Sequence, residues 1–238
     1  MSDETDRAGD QESEPSRSPL DMLDVLAAQD VEITADLRHV EIYTPAGLLT
    51  MLWHGPIDAE NMVLMGGGAL GGLLGPAGAT YHRLGVSLAE QGIGSMRISY
   101  RRPNDLPACV LDMGVAADLS SRSGARNFVT VGHSFGGAVA IQAAQALGAH
   151  TKGVVTLATQ SAGCENGDRL ATAGTPVLHL HGDNDSILPH AASEMVQMLT
   201  GGELVILPGA DHRFSGAEEE LATRLGEWIP ARFEPASP

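Results

Sequence analysis

The residues best suited to do chemistry in this chain are Ser134, Asp185 and His212, each placed just beyond a short apolar run. Ser134 lies in Gly132-His133-Ser134-Phe135-Gly136-Gly137. The β-branched and aromatic run Phe128-Val129-Thr130-Val131 before it reads as a buried strand, and the small-residue run from Ala138 to Ala144 as a tightly packed helix. A serine on the sharp turn between such elements has its hydroxyl lifted clear of the sheet. The N–H groups and dipole of the following helix favour negative charge developing beside it. Glycines at 132 and 136 leave room for the turn. A serine nucleophile needs a base and an acid that orients the base. The apolar run Pro176-Val177-Leu178-His179-Leu180 leads into His181-Gly182-Asp183-Asn184-Asp185, and Leu204-Val205-Ile206-Leu207 leads into Pro208-Gly209-Ala210-Asp211-His212. Parallel strands finish on one edge of a sheet, so all three loops converge there.

A fourth requirement is a pair of donors for an oxyanion. The run Asn61-Met62-Val63-Leu64-Met65 reads as a strand opening into Gly66-Gly67-Gly68-Ala69-Leu70-Gly71-Gly72. Glycines there let backbone N–H groups approach a tetrahedral intermediate without side chains in the way.

The segments GHSFGG, HGDNDSILP and PGADH, with the order Ser…Asp…His, make the chain similar to the α/β-hydrolases. The resemblance is nearest to small, lidless dienelactone-hydrolase-like and carboxylesterase-like members, and it covers about residues 38–230. It implies an α/β-hydrolase fold: a doubly wound, mostly parallel sheet with helices on both faces and no sizeable lid domain. It also implies that Ser134 is the nucleophile and His212 the general base. The acid of the family's H-G-x-x-D pattern falls on Asp185, with Asp183 as the competitor. One oxyanion donor is expected from Gly67, with Gly68 as its neighbour, and the other from the N–H of Phe135. Met65 stands where the family usually has a histidine, which leaves the choice of donor within the loop open. The expected chemistry is cleavage of a carboxylic ester, lactone or thioester through an acyl-serine, with no cofactor. Two alternatives keep the same fold: an acyltransferase that passes the acyl group to another acceptor, and a non-catalytic interaction module.

Other readings of the same residues are weaker. Gly66-Gly67-Gly68 lacks the G-x-G-x-x-G spacing of a dinucleotide site, and the next strand ends at Arg101 rather than at an acid. The histidines show no metal-ligand spacing, and His133, His179 and His181 read as packing and turn residues. The formal charge of −16, with Lys152 the lone lysine, disfavours nucleic acid and anionic membranes as partners. A small-molecule ester-like substrate fits better. Cys109 and Cys164 read as free thiols. The polar stretch from Met1 has no secretory signal pattern, and no later run is long and apolar enough to span a bilayer, so the expected location is cytoplasmic.

The elements that must position these residues follow from periodicity. Residues 1–19 read as a disordered acidic tail, 20–232 as one domain and 233–238 as a second tail. Leu20 to Ala28 has helical spacing, and Val40–Tyr43 with Leu48–Trp53 forms a hairpin. Helices are expected over Tyr81–Gln91, Val110–Leu119, Ala191–Leu199 and around Leu221–Ile229, and strands at Ile93–Ser99 and Gly153–Leu157. The segment 158–176 has room for a loop and one helical turn, which implies an open cleft for short or accessible esters. Tyr81 and His82, beside the glycine-rich loop, are expected substrate contacts, as is Arg101 for an anionic substrate group. The competing readings are a loop that touches nothing and arginines paired with the many surface acids.

Overall fold

A computed structural model describes residues 17–234. In chain order its elements are β1 (Ala27–Thr34), β2 (Leu37–Thr44), β3 (Gly47–His54), β4 (Asn61–Gly66), α1 (Pro76–Ala89), β5 (Gly94–Ser99), α2 (Leu106–Ser123), β6 (Asn127–His133) and α3 (Phe135–Leu147). They continue with β7 (Thr151–Leu157), α4 (Asp168–Thr172), β8 (Val177–Gly182), α5 (Ala191–Thr200), β9 (Glu203–Leu207) and α6 (Glu218–Trp228). The strands form one sheet in the order β1-β2-β3-β5-β4-β6-β7-β8-β9. β1, β2, β3 and β5 pair antiparallel in succession, and every pairing from β5 to β9 is parallel.

After β4 the chain crosses to β5 on one side and then returns to β6 on the other. That reversal opens a crevice at the carboxyl ends of β4 and β6, where ligands of doubly wound sheets bind. The central strands are buried on both faces, as their near-continuous apolar sequences require. Met62 and Leu64 of β4 face α2 and α3 through Met113 and Val139, whereas Val63 and Met65 face α1 and α6 through Leu84, Leu88, Leu221 and Leu225.

Three expectations about elements change. The stretch 20–28 is a series of turns leading into β1, not a helix. β1 is exposed along all eight residues, so burial imposes no alternation on Gln29-Asp30-Val31-Glu32-Ile33. α1 starts at Pro76, before the expected Tyr81, through a left-handed turn in which Ala77, Gly78 and Ala79 all have positive φ. α2 extends beyond Val110–Leu119 at both ends, with the Asp105 carboxylate capping its first turn through Ala108 N. Between β7 and β8 the five-residue α4 is the one helix. The expected tails fall largely outside the described residues, at 1–16 and 235–238. Of the rest, Ser18 accepts a hydrogen bond from Arg122 at 2.9 Å, and Phe233 packs against the α1–α6 side of the core.

Candidate active site

β6 hands over to α3 at Ser134, whose backbone takes φ 56° and ψ −121°. A non-glycine residue in that region costs about 1–3 kcal/mol and persists only where the surroundings hold it. Here Ser134 N donates to Leu157 O at 2.8 Å, and the Ser134 carbonyl accepts from Gly137 N at 2.9 Å. Two glycines make the turn sterically feasible. A Cβ on Gly132 would collide with the Gly136 carbonyl, and one on Gly136 would strike the carbonyls of Gly66 and Gly67. The second constraint draws the glycine-rich loop against the Ser134 turn. Gly68 lies beside Ser134, since a Cβ there would sit 3.5 Å from Ser134 Cβ. Phe135 N opens α3 and, as the first N–H of a helix, has no intrahelical acceptor.

β8 and β9 deliver the acid and the imidazole. Asp185 Oδ2 lies 2.7 Å from His212 Nδ1, so Nδ1 carries the proton and Nε2 is left as the basic nitrogen. The other carboxylate oxygen accepts from Ile187 N and Leu188 N, both at 2.8 Å. Burial alone would raise the Asp185 pKa. The bonds from Leu188 N, His212 and Ile187 N outweigh it and hold the carboxyl below its ordinary value. Asp183, the competing acid, is exposed and instead accepts from Gly209 N at 2.6 Å, which ties down the turn before His212. His133 makes the link to the Ser134 turn. Its Nε2 donates to the His212 carbonyl at 2.9 Å, and the two rings lie 4.9 Å apart. Burial lowers the His133 pKa to about 4, so it remains neutral. Among the described residues the Ser134 hydroxyl has no hydrogen-bond partner. Such contacts are commonly loose before substrate arrives.

His181 does more than the packing assigned to it from sequence. Its Nε2 faces Asp185 Oδ2 at 3.1 Å and Leu188 O at 3.0 Å, while Nδ1 accepts from the Ser193 hydroxyl at 2.7 Å. Two acceptors around Nε2 put the proton there, and burial lowers the pKa of this histidine too. Asp185 is therefore gripped by two imidazoles. The four-residue spacing from His181 to Asp185 was the available signal, but nothing local tells such a pair from a turn. His179, by contrast, is structural, bonded between Thr156 and Thr200 at 2.7 and 2.8 Å.

The structure does not bring the three expected substrate contacts to this site. Tyr81 is fully buried, and its hydroxyl donates to Gly66 O at 2.8 Å, bracing the glycine-rich loop from beneath. His82 is exposed, but its ring lies 5.6 Å from that of His54, which pairs with Ser95 near the start of β5. That is the opposite edge of the sheet from Ser134. Arg101 lies at the correct edge, yet its guanidinium is spent on fully buried Asp112 through Nε–Oδ1 at 2.6 Å. Arg102 pairs with Asp105 at 3.0 Å. Burial pushes the Asp112 carboxyl up despite its bonds from Arg101. Cys109 and Cys164 are both buried and unpaired, their thiols pushed up to about 12.

Residues 76–218 match the model of the alpha/beta hydrolase family. The chain belongs to this family. Its nine-stranded sheet also aligns with solved α/β-hydrolase structures. Est1E from Butyrivibrio proteoclasticus aligns at TM-score 0.68 and 16% identity, over 82% of this chain and 98% of its own. Dienelactone hydrolase from Anabaena variabilis aligns at 0.67 and 19%, over 86% and 98%. A lidless α/β serine hydrolase from Xanthomonas campestris aligns at 0.60 and 17%, over 87% and 100%. No curated protein matches the sequence. Membership of the α/β-hydrolases supports hydrolase activity, and among the described residues no large lid is inserted between the strands. No helix among the described residues is long and apolar enough to cross a membrane.

Proposed function

We propose that this protein cleaves carboxylic esters, lactones or thioesters of a small molecule through an acyl-serine intermediate. The observation that carries the reading is the 2.7 Å bond from Asp185 to His212 Nδ1, in loops that His133 ties to the Ser134 turn. In the first half-reaction the Ser134 hydroxyl proton passes to His212 Nε2 as Oγ attacks the carbonyl carbon. Phe135 N–H and the Gly67–Gly68 backbone face the resulting oxyanion. His212 then gives its proton to the departing alcohol or thiol. In the second half-reaction water attacks the acyl carbon, His212 takes its proton, and Ser134 is regenerated as the acid leaves. Asp185 stays ionised throughout and holds the imidazole in the tautomer that keeps Nε2 free.

The test is labelling with a fluorophosphonate probe alongside turnover of p-nitrophenyl acetate, comparing wild type with Ser134→Ala. Wild type should take the label and Ser134→Ala should not, with turnover falling by a factor of about 10³ or more. A folded wild type that takes no label, or a Ser134→Ala protein that keeps its turnover, overturns the reading.

A further inference from the structure

A cleft of about 470 Å³ opens between Gln160–Ala162 on one side and Leu188, Ala192 and Met195 on the other. Both walls are joined to the residues proposed above. Next to Gln160, Thr159 Oγ1 reaches the Ser134 carbonyl at 3.5 Å, and Leu188 N donates to Asp185 Oδ1 at 2.8 Å. No charged residue lines the cleft, and its one amide is already satisfied, since Gln160 Nε2 donates to Ala162 O at 2.8 Å. Another concavity, about 290 Å³, lies between Leu20, Leu119 and the β1–β2 hairpin, at the other end of the sheet from β8 and β9.

The helix that borders the cleft leaves large apolar side chains outside while burying two hydroxyls beside Val196. α5 buries Ser193 and Thr200, whose hydroxyls bond His181 and His179. It presents Met195, Met198 and Leu199 to solvent, and Met195 lines the cleft while remaining 54% exposed. Those bonds account for the inward hydroxyls, but folding alone gives no reason to place the methionines outward. A thioether side chain at the mouth of a cleft suits an apolar ligand, because it adapts its shape at little cost.

We infer that this cleft binds an uncharged apolar arm of the substrate, alkyl or aryl, and that Met195 is a specificity-determining residue. The inference rests on the ester-hydrolase reading and adds to it the substrate class. A carboxylate or phosphate arm would find no cation there. Each methylene that leaves water on entering the cleft should raise kcat/KM about fourfold until the cleft is full.

The experiment uses two ester series on the full-length protein: p-nitrophenyl esters from acetate to octanoate, and acetates of alcohols from ethanol to octanol. Wild type should favour the longer arm in one series, which tells whether the acyl or the alcohol side enters. Ala192→Trp, which narrows the cleft, and Met195→Glu, which adds a charge at its rim, should each cut the hexyl-to-ethyl ratio of kcat/KM in that series at least tenfold. Ratios unmoved in both series overturn the inference. A second readout needs no turnover: the ¹³C-labelled methyl of Met195 should shift on titration with 1-hexanol in wild type and in Ser134→Ala, and an unshifted methyl overturns the inference. A protein that takes no fluorophosphonate label yet shifts the Met195 methyl loses the hydrolase reading and keeps the apolar cleft.

Discussion

The glycine-rich side of the candidate site is tied down by buried polar bonds, whereas the side bordered by α5 presents alkyl groups free to move. On the first side Tyr81 braces Gly66, Arg97 donates to the Leu73 carbonyl at 3.3 Å, and Arg101 is locked to Asp112. On the second, the polar bonds of Ser193 and Thr200 lie beneath the helix, and Met195 and Met198 stand above it. An oxyanion site must not reorganise as charge develops, so rigidity is useful there. A site for an apolar group gains from a surface that repacks around it. The difference separates a wall suited to transition-state charge from a wall suited to substrate shape.

That contrast can be broken at several points. The largest effect is expected at the contact between the Ser134 turn and the glycine-rich loop. Gly136→Ala forces a methyl against the Gly66 and Gly67 carbonyls, so turnover should fall by about 10²–10³, with a lower Tm by calorimetry. Arg101→Gln comes next. It leaves a fully buried carboxylate without its cation and should cost about 3–5 kcal/mol in urea unfolding. It should leave the relative rates on anionic and neutral esters unchanged. A changed preference would return Arg101 to the substrate side.

Acid should destabilise the fold on both sides of the sheet's carboxyl edge and beyond it. Burial lowers His54 at the opposite edge, His179 beneath α5 and His133 beside Ser134 to about 4 each. Between about pH 6.5 and 4 the unfolded chain binds protons at these positions and the folded chain does not, so stability falls as pH falls across that window. The urea midpoint measured at pH 7, 5.5 and 4.5 should decline at each step, and a flat profile removes the neutral-histidine account. Tyr81→Phe should cost about 1 kcal/mol, because it leaves the Gly66 carbonyl without its donor. Its fall in turnover should be the same for short and long esters, which is the signature of the rigid wall. The smallest effect belongs to His82→Ala. With its ring against His54 and away from the Ser134 edge, this change should move stability by less than about 0.5 kcal/mol and leave ester selectivity as it is.

How much of this was legible follows from where each signal sits. Ser134, Asp185 and His212 each follow an apolar strand, so strand periodicity and turn residues together are enough to bring them to one edge. The parallel sheet and the short β7–β8 connection were legible for the same reason. Tyr81 and His82 were misread because nearness in sequence to the glycine-rich loop says nothing about the face of α1 on which a side chain lies. Arg101 does pair with an acid, as one of its two readings has it, but the partner is buried Asp112, eleven residues away inside a helix, and not a surface acid. β1 does alternate over Asp30-Val31-Glu32-Ile33, but both of its faces are exposed, so its apolar residues mark no core. The outward methionines of α5 were hidden because its helical period shows which residues share a face without showing which face turns inward.

The backbone at Ser134 carries one more consequence. A positive φ is tolerated by a side chain with a single γ atom and resisted by a β-branched one. The turn thus acts as a filter on reactivity: by one substitution, cysteine or aspartate can occupy the position, whereas threonine meets a steric barrier. Thiol and carboxylate chemistries are therefore neighbours of this scaffold, and a threonine nucleophile is not.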